Sequence, residues 1–516
     1  MSTTIDTSPR PSAADIGEAR PSKSGRWIEH WDPEDEQFWE RTGKRIARRN
    51  LACSIFAEHL GFSIWVLWTI VVINLPNIGI NLSVSELFLL TAVPNLVGSF
   101  LRIPYTFAVP RFGGRAWTAV SAALLFVPAL LLAVVVPSGW LAGQTHDVQL
   151  WVLVLCSATA GVGGGNFSSS MFNMSFFYPE RRKGFALGLN AAGGNLGVAV
   201  TQLVVPLVVV AGVPAAAVKL PLHRVHMAYA GLMWLPFIAL GSISAWLFMD
   251  SLTQAKAEKR SYLTALKNRQ TWLISLLYVG TFGSFIGFSF ALPLVIKTTF
   301  PEFLAAHPFI AIYLGGLGFM GALIGSLSRP LGGWLSDRVA GSKVTLAVFA
   351  GMAVFTAVAI VAVQRRSFPL FLASYLAVFL LAGMGNGSTY KMIPSIFAAL
   401  GRREADVHGL DPAATAVEFK RRAGAVIGIA GAIGAFGGFV VQVVLRQASL
   451  GVSALVKAAP TPAAKAAVAG AHAGWSVPAL WAFLVSYIVF AGVTWLAYVR
   501  TGAETGRIRS LAATVV

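Results

Sequence analysis

The chain has 516 residues, of which 56% are hydrophobic and 12% charged, about half the charged fraction of an average soluble domain. Its mean hydropathy of +0.68 and its recurrent apolar runs of about 20 residues exclude a soluble globular protein and describe a polytopic α-helical membrane protein. The formal net charge of +18 would point to nucleic acid in a soluble chain, but most basic residues fall in loops and tails on one side of the apolar runs; there they set topology, and no nucleic-acid partner is expected.

Residues 1–25 are rich in Ser, Thr, Pro, Ala and Arg and lack the apolar core of a signal peptide, which reads as a disordered tail. From Trp27 to Asn50, Asp32-Pro33-Glu34-Asp35 opens a segment that ends in Lys44, Arg45, Arg48 and Arg49. That polarity suits a short interfacial helix on the inner membrane face, or equally a topogenic flank. Six spans follow at 51–75, 85–109, 115–136, 150–177, 184–211 and 227–249, and six more at 272–298, 309–335, 343–363, 369–399, 424–445 and 477–499. A basic linker at 251–270 divides an amino-terminal six-helix bundle, 51–250, from a carboxy-terminal one, 271–499, and a tail at 500–516 closes the chain. The region 401–422 reads as a charged loop with a short helix from Asp411-Pro412, since proline favours the first helical position. The Ala- and Pro-rich region 451–476 reads as a structured connection on the other side.

An even number of spans puts both termini on one side. The loops there carry Arg111, Arg115, Arg181, Arg182, Lys183, Lys256, Lys259, Arg260, Arg338, Lys343, Arg402, Arg403 and Lys420, whereas 76–83 and 138–147 opposite carry no Lys or Arg. Lys219, Arg224, Lys297, Arg365, Arg366, Arg446, Lys457 and Lys465 run against this bias without reversing it. Both termini are therefore expected in the cytoplasm, with the chain in the inner (cytoplasmic) membrane. Cys53 and Cys156 lie inside apolar runs and form neither a disulfide framework nor a metal-ligand pattern.

One stretch occurs twice. The second span contains Gly98-Ser-Phe-Leu-Arg102-Ile-Pro104 and the eighth contains Gly325-Ser-Leu-Ser-Arg329-Pro330. A charge at membrane depth costs roughly 2.5–3.5 kcal/mol even on a lenient scale, so it needs a use and a shelter. Structural acids would neutralise the pair, yet Glu58 is the only carboxylate well inside a span. An anion held between two halves is the better reading. Gly165-Asn166-Phe167-Ser168-Ser169 likewise answers Gly385-Asn386-Gly387-Ser388-Thr389, and Gly184, Gly188, Gly194 and Gly197 answer Gly424, Gly428, Gly434 and Gly437. An offset of roughly 220–240 residues describes parallel repeats, the build of transporters whose two bundles rock around a central site. Gly188, Gly194, Gly428 and Gly434 would let helices approach closely, for packing alone or for motion as well. Asn166, Asn190 and Asn386 read first as interhelical hydrogen-bonding groups.

Gly332-Gly333-Trp-Leu-Ser-Asp337-Arg338-Val-Ala-Gly341-Ser-Lys343 resembles the loop signature of the major facilitator superfamily, although its first-half counterpart at Val109–Arg115 lacks the acid. More specifically, Gly164-Gly-Asn-Phe-Ser-Ser-Ser-Met-Phe-Asn-Met-Ser-Phe-Phe-Tyr-Pro179, followed by Gly184-Phe-Ala-Leu-Gly-Leu-Asn190-Ala-Ala-Gly-Gly-Asn195-Leu-Gly197, resembles the nitrate/nitrite porter signature. With Ser275-Leu-Leu-Tyr278-Val-Gly-Thr-Phe282 the likeness is to the bacterial NarK type, from about Trp31 to the last span. It implies an all-α major facilitator fold of twelve transmembrane helices in two pseudo-symmetric bundles. It also implies that Arg102 and Arg329 clamp nitrate or nitrite, Phe167 and Phe282 sandwich it, Tyr278 hydrogen-bonds it and Asn195 lines the site. Asp337 and Arg338 would belong to the conformational machinery.

A guanidinium fork fits a planar oxyanion in a way a lysine does not. Two facing cations repel, one anion relieves them, and nitrate/nitrite exchange by rocker-switch alternating access is the expectation. The alternative is proton-coupled nitrate symport, with Glu58, His59 or Lys391 carrying the proton. An anion sensor, an anion channel and a phosphate or organophosphate exchanger fit the sequence less well, and no nucleophile–base set suggests an enzyme. No cofactor or metal is expected; the partners are small anions and the bilayer, and a monomer is compatible with the sequence.

Overall fold

The computed structural model describes residues 26–211, 225–255 and 264–500. The expected tails at 1–25 and 501–516, Lys219, Arg224 and the linker bases Lys256, Lys259 and Arg260 lie outside them. Eleven described helices are long and apolar enough to cross a membrane: α1 Glu36–Ile78, α2 Val84–Phe112, α3 Gly114–Val134, α4 His146–Phe177, α5 Glu180–Val210, α6 Tyr229–Phe248, α7 Arg269–Thr299, α9 Gly341–Gln364, α10 Phe368–His408, α11 Pro412–Ala458 and α12 Ala473–Val499. The twelfth, α8 Phe319–Val339, is long enough at 21 residues but less apolar, and carries Arg329. Together they make the all-α fold of the major facilitator type.

Burial separates the helices by role. The apolar windows of α1 and α7 are 83% and 94% buried, against 28% for α6 and 33% for α12. The first two are central and the last two face outward. Exposed side chains such as Phe100, Trp151, Leu155, Ile243, Leu327, Val354 and Ile488 cover that outer surface, an apolar area that only a lipid phase tolerates. Between the halves, α2 packs on α11, α5 on α8, and α1 on α7. The ends that carry Arg181, Arg338 and Arg402 are here called the basic face.

Three expectations are corrected. The segment before the first span is not a separate surface helix: Asp35 caps a helix by accepting from the N–H groups of Gln37 and Phe38, and that helix runs without interruption into the span, through a π-turn at Trp39–Gly43. Trp31 is buried and donates to the Phe176 carbonyl at 3.1 Å, so packing on α4 holds this stretch to the bundle. The eighth span does not begin at 309, because Gly315, Gly316 and Leu317 take positive φ values of 55°, 68° and 69° and break the chain from the short helix Pro308–Tyr313. Nor is 401–422 a loop with a short helix of its own. Span ten continues to His408, Gly409 ends it at φ 61°, and Asp411 caps a helix that proceeds through span eleven to Ala458. Nothing between Pro412 and Ala458 removes a backbone donor, so the helix has no reason to stop.

The start of the linker is tied to the first bundle. Trp27–Ile28 pairs in parallel with Ser251–Leu252. Beside it, buried Asn50 accepts from the Asp250 N–H at 2.8 Å and donates to Asp250 Oδ2 at 3.0 Å, while Arg49 meets the same oxygen at 2.5 Å. Removing Asn50 leaves the buried Asp250 N–H unmet, at about 1–3 kcal/mol, while Arg49 still meets Oδ2. Asn50→Ala should therefore lower the unfolding temperature in detergent by several degrees; an unchanged temperature would mean that this tie contributes little.

Candidate functional site

Proline-containing α2 and glycine-lined α4 bring Arg102 to the centre. Gly164 lies so close to Gly98 that a Cβ on it would sit 2.8 Å from the Gly98 Cα. This contact lets the Arg102 Nε donate to the Gly164 carbonyl at 3.0 Å. Its Nη1 crosses to the other half and donates to the Gly431 carbonyl of α11 at 2.6 Å. Arg329 on α8 donates through Nη2 to the Tyr278 hydroxyl at 3.3 Å. Both arginines are buried, all these partners are neutral, and neither guanidinium forms an ion pair among the described residues. One nitrogen of each, Nη2 of Arg102 and Nη1 of Arg329, is buried without a hydrogen-bond partner.

Aromatic rings stand in for counter-charge. The Arg102 Cζ lies 4.7 Å from the Phe167 ring centre, 5.0 Å from Phe282 and 5.5 Å from Trp65. The Arg329 Cζ lies 5.8 Å from Phe167 and 5.6 Å from Tyr390. A ring face attracts a cation most strongly where water is excluded. Phe167 and Phe282 stack on each other at 5.7 Å with 24° between planes, and Tyr278 stacks on Phe282 at 5.2 Å. Five of the expected residues are thus together: Arg102, Arg329, Phe167, Phe282 and Tyr278. An anion between the two phenyl rings needs about 7 Å, two van der Waals contacts of about 3.5 Å, so the slot is closed in this arrangement.

The opposite half of the molecule is sealed by contacts between bundles. Gln202 donates to the Ser289 carbonyl at 2.6 Å, and Thr91 donates at 2.8 Å to Gln442, which is itself held within its own bundle by donating to the Gly287 carbonyl at 2.6 Å. Trp65 packs edge-on against Phe290, and Phe88 lies against Trp475. Toward the basic face a small cavity of about 30 Å³ is lined by Phe167, Ser168, Met171, Tyr390 and Gly428, among others. On the basic face Lys420 of α11 pairs with Glu180 of α5 at 2.7 Å.

Other expected residues lie nearby or elsewhere. Asn195 is buried with neither side-chain polar atom partnered. Glu58 is buried, accepts from Asn190 at 2.7 Å and from Ser170, and leaves Oε1 unmet. His59 turns to the Gly193 carbonyl at 3.0 Å. Lys391 is half-exposed and pairs with Asp337 at 2.6 Å, and Arg338 lies over Trp334 at 4.0 Å. Both contacts lie at the loop end of α8, which Lys391 reaches from α10, and neither involves the arginine pair. Among the glycines, Gly434 seats the Tyr278 ring, which a Cβ would overlap, and Gly194 covers Glu58 Oε1, from which a Cβ would lie 2.5 Å. A Cβ on Gly188 meets nothing within 4 Å, and one on Gly428 only Thr106 at 3.4 Å.

Sequence reasoning missed Tyr390, whose buried hydroxyl has no partner, and the Gly431 carbonyl. The repeat contained the signal for the first. Ser170 and Tyr390 occupy matching places after the Gly-Asn pairs of α4 and α10, and each faces the centre. A carbonyl contact across bundles leaves no such mark.

Residues 51–441 match the sequence profile of the Major Facilitator Superfamily. The nitrate/nitrite transporter NarU of Escherichia coli (strain K12) is 37% identical, over 93% of this chain and 97% of that protein. The probable nitrate/nitrite antiporter NarK2 of Thermus thermophilus is 34% identical, over 81% of this chain and 89% of that one. In fold, the chain is similar to a bacterial homologue of the human lysosomal transporter Spinster, at a TM-score of 0.58 and 15% identity, over 88% of this chain and 97% of that one.

Gly434→Ala would push a methyl into the Tyr278 ring, an overpacking cost of about 1–3 kcal/mol, and should weaken anion binding to the purified protein about tenfold. Gly188→Ala, which adds a methyl to open space, should leave that binding near wild type. Equal effects of the two changes in the same titration would contradict the assignment of Tyr278 to the site.

Proposed function

We propose that this chain, which belongs to the nitrate/nitrite porters of the major facilitator superfamily, carries nitrate and nitrite across the cell membrane and grips each anion between Arg102 and Arg329. It is a transporter and not an enzyme. The observation that supports the clamp is the pair of unmet donors, Arg102 Nη2 and Arg329 Nη1, one from each bundle, buried beside the Phe167–Phe282 stack. An unmet buried donor costs about 1–3 kcal/mol, more when charged, and a planar oxyanion between the rings supplies acceptors for both. A flat, small ion suits that slot; a phosphate ester does not.

The same reading gives a mechanism. The basic face is cytoplasmic by its charge, so the described arrangement is the form closed to the outside, with the cavity below the aromatic pair as the route inward. The bundles at 51–250 and 271–499 would rock about the site, with the linker at 251–270 joining them. Without an anion the two guanidiniums repel across a site shielded from solvent; with one they share its charge and draw the halves together. The loaded carrier then crosses more readily than the empty one, and nitrate entering against nitrite leaving is the favoured mode.

Arg102→Lys and Arg329→Lys keep the charge and lose the planar fork. Each should weaken nitrate binding about 10- to 100-fold, as for one or two charge-assisted hydrogen bonds, measured on the purified protein; wild-type affinity in either would remove the clamp. In proteoliposomes, internal nitrite should accelerate uptake of labelled nitrate, and uptake indifferent to internal nitrite would contradict exchange.

A further inference from the structure

Among the described residues two carboxylates are buried, Glu58 and Asp250. Asp250 is paired with Arg49. Glu58 has no base beside it: its Oε2 accepts from Asn190 of α5 at 2.7 Å and from Ser170 of α4, and its Oε1 accepts nothing. Ser170 stands one helical turn from Phe167, the ring that lies against both arginines. On α1 itself the neighbouring titratable group is His59, turned away to the Gly193 carbonyl. The contacts from α4 and α5 are neutral. The charges that act on Glu58 come from across the site, from Arg329 and Arg102, and the Tyr390 phenol is within the same field. Glu58 thus shares a buried electrostatic unit with the clamp without occupying it.

Counting charge over Arg102, Arg329 and Glu58 gives this position a role. With Glu58 ionised and no anion, the unit carries one net positive charge. With Glu58 protonated and one nitrate or nitrite bound, it again carries one. Of the two mixed forms, the empty one with protonated Glu58 carries two net positive charges, a large penalty in a medium of low dielectric, and the anion-bound one with ionised Glu58, though neutral, sets the carboxylate's charge against the anion's. An ionised Glu58 also occupies the positive potential that an anion needs, so proton and anion binding reinforce each other, and by linkage equally in both directions.

We propose that Glu58 is a proton site coupled to the anion site, so that one proton is taken up at its unmet oxygen with each anion and released with it. The proton comes from water on the loading side, returns to water on the other, and leaves Glu58 ionised for the empty carrier to return. This rests on the arginine clamp and adds to it a net, proton-linked leg beside exchange. Glu58 forms no hydrogen bond or ion pair with either arginine among the described residues, so its loss removes that leg and spares exchange.

The test uses the full chain in proteoliposomes. Without internal nitrite, a pH gradient, acid outside, should drive net uptake of labelled nitrate with about one proton per anion. In Glu58→Gln this net uptake should fall at least tenfold while acceleration by internal nitrite persists. Gradient-driven uptake that survives in Glu58→Gln overturns the proposal and leaves the clamp standing. Loss of exchange as well, in a variant that unfolds at the wild-type temperature, also overturns it, because Glu58 would then act on anion binding itself. If Arg102→Lys keeps exchange, the clamp fails whatever Glu58 does. A measurement that needs no variant backs these: nitrate added to the purified wild-type protein in weak buffer should withdraw protons from solution, and no pH change overturns the proposal.

Discussion

Two guanidiniums without acids dominate this molecule. Burying one unpaired cation is expensive, and burying two within reach of the same phenyl ring is more so. Arg102 and Arg329 are held by what remains available: the carbonyls of Gly164 and Gly431, the Tyr278 hydroxyl, and the faces of Phe167, Phe282 and Tyr390. These partners moderate the charge without cancelling it. The surplus is what an anion can use, and it is shared between two bundles, so binding and the relation of the halves are one problem.

Much of the remaining structure serves that arrangement. Glycines at the α2–α4 and α8–α10 contacts bring backbones close enough to present carbonyls and orient arginines. Gln202 and Gln442 tie the bundles together on the side away from the basic face, Gln202 by donating to the Ser289 carbonyl of α7 and Gln442 by accepting from the Thr91 hydroxyl of α2. Uncharged bonds of this kind close a seam without placing further charge in the membrane, and they can be exchanged for water when the seam opens. The basic-face seam relies instead on the exposed Lys420–Glu180 pair, a contact that solvent screening keeps weak.

The sequence made the twelve helices and the arginine pair legible, because apolar runs and a repeated charge are local and visible. Phe167, Phe282 and Tyr278 became legible only through a family motif, since an aromatic residue in a membrane helix looks the same whether it packs or binds. What stayed hidden depends on long-range geometry. The Gly431 carbonyl is one of many helix carbonyls until Arg102 reaches it from the other half. The break at Gly315–Leu317 looked like one more glycine-rich helix, because positive φ is not written in the letters. The continuation of α10 and α11 past the expected ends was obscured by their charges, which suggested a loop although charged residues are good helix formers. Lys391 is a candidate for proton transfer by its place in the span alone, but its side chain turns to Asp337.

The most direct test of the clamp is an experimental structure determined with nitrate. The expected result is an anion in contact with Arg102 and Arg329, lying between Phe167 and Phe282 with the rings parted beyond their 5.7 Å stacking distance. Nitrate bound elsewhere, with the two rings still stacked on each other, would contradict it.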